Sequence, residues 1–136
     1  MLRSILAVLA GFFLIPILNL ATNAALGRVL PEWYPAAGRV ESVPALLLSC
    51  AYVAAFGILG CYITARLAPS RPMLHALILG ALGLAVSIPT AMVAWNDTPP
   101  WFNLFNLLAV MPYAWIGGRI RERQLAATRS GPLAHA

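Results

Sequence analysis

The chain has 136 residues, of which 61% are apolar and 10% charged, with a formal net charge of +5. A soluble domain carries about 45–50% apolar and about 25% charged residues, so this composition lacks the polar side chains to cover a water-facing surface. It also excludes disorder, because there is too much apolar area to leave solvated. What remains is one membrane domain. All nine basic residues are arginine. They flank apolar runs, the pattern of a membrane topology signal rather than of a nucleic-acid interface.

The first apolar run, Ser4 to Leu26, supplies 23 residues without a charge, where a span needs about 20. A rival reading makes Met1–Arg3 and Ile5–Leu18 the charged and apolar regions of a signal peptide, with Thr22-Asn23-Ala24 as the cleavage site. The apolar character continues to Leu26 and that site lacks a clean small-x-small pattern, so a retained span is the expectation. The second run is Pro44–Ala65, with 22 residues, and the third is Pro72–Trp95, with 24, in which His75 is the one ionisable residue. The fourth, Trp101–Gly118, is the shortest at 18. Residues 1–123 thus read as a four-span domain, and residues 124–136 as a short polar tail without fixed structure.

Arginine placement predicts the orientation. With the N-terminus cytoplasmic, Arg3, Arg66, Arg71, Arg119, Arg121, Arg123 and Arg129 lie inside, while Arg28 and Arg39 lie outside among Glu32, Glu41 and Asp97. The predicted fold class is therefore an all-α membrane protein, a four-helix transmembrane bundle with both termini cytoplasmic. Aromatic residues favour the two interfaces. Trp33, Tyr34, Trp95 and Trp101 fall at the outer boundary, and Tyr62, Tyr113 and Trp115 at the inner one.

Helices in lipid associate through close packing of small residues. The second span carries Cys50, Ala54, Gly57, Cys61 and Thr64, and the third carries Ala76, Gly80, Gly83, Ser87 and Thr90. Both sets are spaced 4, 3, 4, 3. Since the link Arg66–Arg71 is short, the two stripes are predicted to face each other in a tight hairpin. Ala54, Gly57, Gly80 and Gly83 are its central packing positions. The cysteines, about 16 Å apart along one helix, cannot bond to each other and read as small packing residues. Pro16, Pro89 and Pro112 each release a carbonyl four residues earlier and predict kinks.

No acidic or basic residue lies in the middle of a span, and no zinc motif, phosphate-binding glycine loop or Ser-His-Asp set is present. The expectation is a non-enzymatic protein with no cofactor and no metal. One polar constellation stands out. Asn19, Thr22 and Asn23 in the first span, and Asn103 and Asn106 in the fourth, share one depth near the outer face with Ser49, Tyr52, Ser87 and Thr90. Two readings stand. The amides and hydroxyls bond between helices, or they line an outward-open pocket for a neutral or weakly polar solute. At the opposite end, Arg66, Arg71, Arg119, Arg121 and Arg123 cluster at the bilayer surface and predict contact with anionic lipid.

The stretch Gly57–Gly80, GILGCYITARLAPSRPMLHALILG, resembles a segment of small four-helix bacterial inner-membrane proteins of unknown function. There too a glycine-rich helix end runs through Ala-Arg and a proline turn into a His-Ala helix start. The resemblance implies a multi-pass protein of the bacterial inner membrane and transfers no activity. Size and span count also resemble the small multidrug-resistance transporters, which rely on a glutamate in their first helix; this first span has none. The leading expectation is a non-enzymatic accessory or homo-oligomeric membrane component, with the bilayer, itself or a larger membrane complex as partners and no nucleic acid. The alternative is a small oligomeric transporter or channel that uses the Asn-rich layer.

Overall fold

A computed structural model of the chain describes residues 2–34 and 39–130. It is all-helical: α1 spans Leu2–Val29, α2 Val43–Leu67, α3 Pro72–Val93 and α4 Pro100–Ser130, with a 3-10 turn at Ala94–Asn96. Local chemistry sets the boundaries. Ser42 caps α2 and its hydroxyl accepts from the Ala45 amide, with a proline in the first turn. Pro72 and Pro100 open α3 and α4, where a missing N–H costs nothing. The chain leaves α2 ahead of Pro69, since the residue before a proline avoids helical geometry. α1, α3 and α4 continue through Pro16, Pro89 and Pro112.

Three helices are long and apolar enough to cross a membrane: Leu2–Val29, Val43–Leu67, and Pro72 through Asn96. α4 is long enough, but Asn103, Asn106, Pro112 and Tyr113 lower its hydropathy. It also runs well past the expected end at Gly118. The tail predicted to lack structure from Gln124 is helical as far as Ser130, because Arg, Glu, Gln, Leu and Ala all favour helix once one is established. The rest of that tail, residues 131–136, lies outside the described residues.

Successive helices are antiparallel, and the contacts place α2 and α3 as a central pair flanked by α1 and α4. The N-terminal end of α1, the C-terminal end of α2, the N-terminal end of α3 and the C-terminal half of α4 meet at one end, here called the arginine end. Seven arginines gather there. Most of the best-buried residues are small: Ala7, Ala45, Cys61, Thr64, Ala65, Ala76 and Ala114 are at most 3% exposed, joined by Leu46 and Leu79. Large side chains face outward instead, among them Phe13, Ile17, Leu20, Leu47, Leu82, Leu104 and Leu108. Small inside and large outside is the arrangement of helices that meet in lipid, where close backbone approach drives association and large apolar side chains face the acyl chains.

The two small-residue stripes do not face each other. Their glycines turn toward α4, and Thr64 turns toward α1. A Cβ on Gly57 would lie 2.9 Å from Tyr113, one on Gly80 2.6 Å from Ala114, and one on Gly83 3.6 Å from Val110. Ala54 is half-buried. The reason is a second small set that the sequence reading passed over. Ala114, Gly117 and Gly118 let α4 seat between α2 and α3: a Cβ on Gly117 would meet Cys61 Cβ, Ile58 O and Tyr62 N, each at 2.8 Å, and one on Gly118 would meet Met73 and Ala76. On the other flank, Gly11 and Gly60 bring α1 against α2, and the Thr64 hydroxyl donates to the Ala7 carbonyl at 3.1 Å.

Candidate functional site

The main core cluster lies toward the arginine end, where Cys61, Ala65, Ala76, Leu79 and Ala114 pack with Val8, Phe12 and Ile15, while Ala45 and Leu46 are buried at the opposite, distal end. Toward that distal end the four helices enclose a cavity of about 640 Å³. That volume falls within the range of small-molecule pockets, about 300–1,000 Å³. Its floor is Cys61, Leu79 and Gly80, and its rim includes Tyr34, Val40, Ala94 and Thr98 from the loops. The rim is tied together by the Val40 amide, which donates to the Asp97 carbonyl at 3.0 Å. Asn23 and Thr90 line the cavity and are exposed, so it communicates with the outside.

Asn19, Asn23, Tyr52, Ser87, Thr90, Asn103 and Asn106 all line this one cavity, while Thr22 does not. They divide into two groups by their hydrogen bonds. On one wall a hydroxyl network joins α1, α2 and the link between them. Tyr52 donates to Asn23 Oδ1 and lies 3.2 Å from Ser49 Oγ, which is 3.1 Å from the Tyr34 hydroxyl. Tyr34 in turn donates to the Ala45 carbonyl at 2.8 Å. This wall is bonded between helices.

The other group keeps polar atoms in reserve. Asn19 Nδ2 donates to the Ile15 carbonyl at 2.9 Å, and Asn106 Nδ2 to the Phe102 carbonyl at 2.8 Å. Each bond fixes its amide, since a flipped amide would set two oxygens against each other. Each therefore leaves its Oδ1 buried without a partner. Asn103 is 7% exposed and accepts from the Thr98 hydroxyl through Oδ1 at 3.1 Å, so its Nδ2 is left over. The Tyr113 hydroxyl is the fourth such atom. Two acceptors, one amide donor and one hydroxyl are thus buried without partners on four residues that line a single, mainly apolar space. Burying a polar group unpaired costs about 1–3 kcal/mol, so these four groups weaken the packing around the cavity.

Tyr113 is a correction. Placed by hydropathy at the inner interface, it instead lies over Gly57 and lines the cavity. A tyrosine opposite a glycine on a neighbouring helix was the available signal, but it required knowing that α4, not α3, covers Gly57. Tyr34 and Thr98 were also missed as rim residues, being in links whose path hydropathy does not describe.

The arginine end holds a second, smaller recess of about 380 Å³ between the turn joining α2 to α3 and the extension of α4. Arg71 and Arg121 line it, together with Arg129, Ser70 and Leu125. Of the other predicted lipid-contact residues, Arg119 lies over the Trp115 ring and pairs with Glu122 at 3.2 Å, and Arg66 and Arg123 are exposed outside the recess. The α4 extension is tied to α2 by the Tyr62 hydroxyl, which donates to Gln124 at 3.0 Å.

Among the described residues no group of three His, Cys, Asp or Glu side chains is placed to hold a metal ion, and Cys50 and Cys61 are free thiols. Compared with protein-family models, with curated proteins and with solved structures, the chain matches none. The functional reading therefore rests on the chemistry of these two recesses.

Proposed function

We propose that this is a non-enzymatic, multi-pass protein of a bacterial inner membrane that binds a small, mainly apolar solute carrying a hydroxyl or similar hydrogen-bonding group. In this reading all four helices span the bilayer, both termini are cytoplasmic, and the cavity opens toward the outer face. The uneven split of arginines between the two ends supports the orientation. The outward-facing large apolar side chains support the membrane setting.

The observation that carries the ligand is that four residues lining one cavity, Asn19, Asn103, Asn106 and Tyr113, each hold a buried polar atom without a partner, within reach of a bound group after a side-chain rotation. The walls around them are apolar, from Phe12, Ile15, Val53, Val86, Leu107 and Val110. A hydroxyl group donates to an amide oxygen and accepts from an amide N–H, so it satisfies both kinds of leftover atom, while an alkyl or ring body occupies the apolar walls. No fixed charge lines the cavity, which favours a neutral solute. The floor lies on an apolar core, so this conformation supports a binding site closed toward the arginine end rather than a continuous pore.

The test uses 1-octanol and octane as probes of equal chain length. The purified protein is expected to gain thermal stability with octanol but not with octane, and Asn19→Leu combined with Asn106→Leu is expected to remove the difference. Equal responses to the two probes in the unsubstituted protein would overturn the pocket reading. Native mass spectrometry of protein extracted from its own membrane adds a second readout. A bound small molecule, lost in the double variant, supports solute binding. A stoichiometric foreign subunit with an empty cavity supports the accessory-component reading in its place.

A further inference from the structure

We propose that the recess between the α2–α3 turn and the α4 extension binds a phosphate-bearing anion. The inference rests on the membrane orientation above but not on the distal cavity. Three arginines line it from two directions. Arg71 comes from the turn; Arg121 and Arg129 come from α4. Spaced by eight residues with Leu125 halfway between, the α4 pair lies on one face of the helix. That face exists only because α4 continues as helix beyond residue 118. Ser70 adds a hydroxyl, and Pro72 brings the positive end of the α3 dipole to the same wall.

Among the described residues, no acidic side chain lines the recess. Glu122 is engaged by Arg119, Glu41 pairs with Arg39 at the other end of the bundle, and Glu32 and Asp97 belong to the distal links. Three like charges repel in the folded chain, and an anion between them reverses the sign of that interaction. Arginine's planar fork matches the oxygens of a phosphate group. The backbone is built for the arrangement as well. Arg71 is the one described non-glycine residue with a positive φ, at 46°. In place of a side-chain cap, its carbonyl accepts from the Leu74 amide at 3.0 Å and from His75 Nδ1 at 3.1 Å. The buried His75 ring thereby holds the turn that aims Arg71.

The phosphate could belong to a lipid headgroup in the cytoplasmic leaflet or to a soluble phosphoryl compound, and the experiment separates them. The full chain is placed in nanodiscs of phosphatidylcholine alone, of phosphatidylcholine with phosphatidylglycerol, and of phosphatidylcholine with inorganic phosphate in the buffer. Binding is read by phosphorus NMR and thermal stability. Saturable binding of phosphatidylglycerol assigns the lipid source. Binding of inorganic phosphate in discs lacking phosphatidylglycerol, or its displacement of phosphatidylglycerol, assigns the soluble one. Either result upholds the site. Arg121→Gln and Arg71→Gly are each expected to weaken binding about tenfold. Glycine tolerates the φ of residue 71, so that variant keeps its fold, and circular dichroism checks this. Arg123→Gln removes the same charge two residues along α4, on the opposite face and outside the recess, and is expected to change affinity less than about twofold. An equal loss in Arg123→Gln, or no binding of either probe by the unsubstituted protein, overturns the proposal. Failure to enter nanodiscs at all refutes the membrane reading instead, and the phosphate arm then runs in detergent.

Discussion

The two ends of this bundle are made from the same apolar helices, yet they are packed in opposite ways. At the arginine end glycines and alanines bring backbones into contact. Gly117 touches α2, Gly118 touches α3, and Gly11 and Gly60 join α1 to α2. At the distal end the corresponding positions are Asn19, Tyr52, Ser87 and Asn106, and the helices enclose a cavity rather than a core. The difference teaches where each end gets its specificity. In lipid there is no hydrophobic force between helices, so an end with small residues closes by packing. An end with amides and hydroxyls must satisfy hydrogen bonds, and at this one four atoms are left without partners.

The strongest way to break that comparison is to add a methyl group at the tight end. Gly117→Ala places its Cβ 2.8 Å from two backbone atoms and Cys61, and is expected to destabilise the protein by about 3 kcal/mol, read by denaturant unfolding in detergent. The opposite sign is expected at the distal end. Asn19→Leu with Asn106→Leu removes two unpartnered oxygens and should raise stability by about 1–2 kcal/mol while abolishing the octanol response. A loss of stability there would show that these amides already serve as structural bonds. Thr64→Val deletes the hydroxyl that donates to Ala7 and should cost about 1 kcal/mol, measured as a lower midpoint of unfolding. The smallest effect sharpens the boundary between the two ends. Gly83 faces only Val110 at ordinary contact distance, so Gly83→Ala should be neutral or stabilise by about 0.5 kcal/mol through reduced backbone freedom. A large loss would extend the tight seam to the cavity wall.

Hydropathy located the four helices to within a few residues at most boundaries, because solvation of each residue type is a local property. It misjudged the end of α4, where the charge pattern changes but helix propensity does not. It also grouped Asn19, Asn23, Tyr52, Ser87, Thr90, Asn103 and Asn106 at one level of the bundle, since level follows from position along antiparallel helices. Thr22 shares the level but not the cavity, because it lies on another face of α1. Which amides bond within their own helix, and which oxygen is then left over, depends on rotamers and neighbours that spacing does not encode.

The sequence by itself determined an apolar helical chain, the lengths of its apolar runs, the gathering of arginine near one set of helix ends, and the stripes of small residues on α2 and α3. Each depends on residue type and on periodicity along one helix. Only the tertiary structure decided what those stripes meet. The short link made an α2–α3 seam look inevitable, but Ala114, Gly117 and Gly118 let α4 approach more closely than either partner of that seam. From that one choice follow the position of Tyr113 in the cavity and the placement of Arg121 and Arg129 beside Arg71. Close packing is decided by the shapes of both surfaces together, and a single helix carries only one of them.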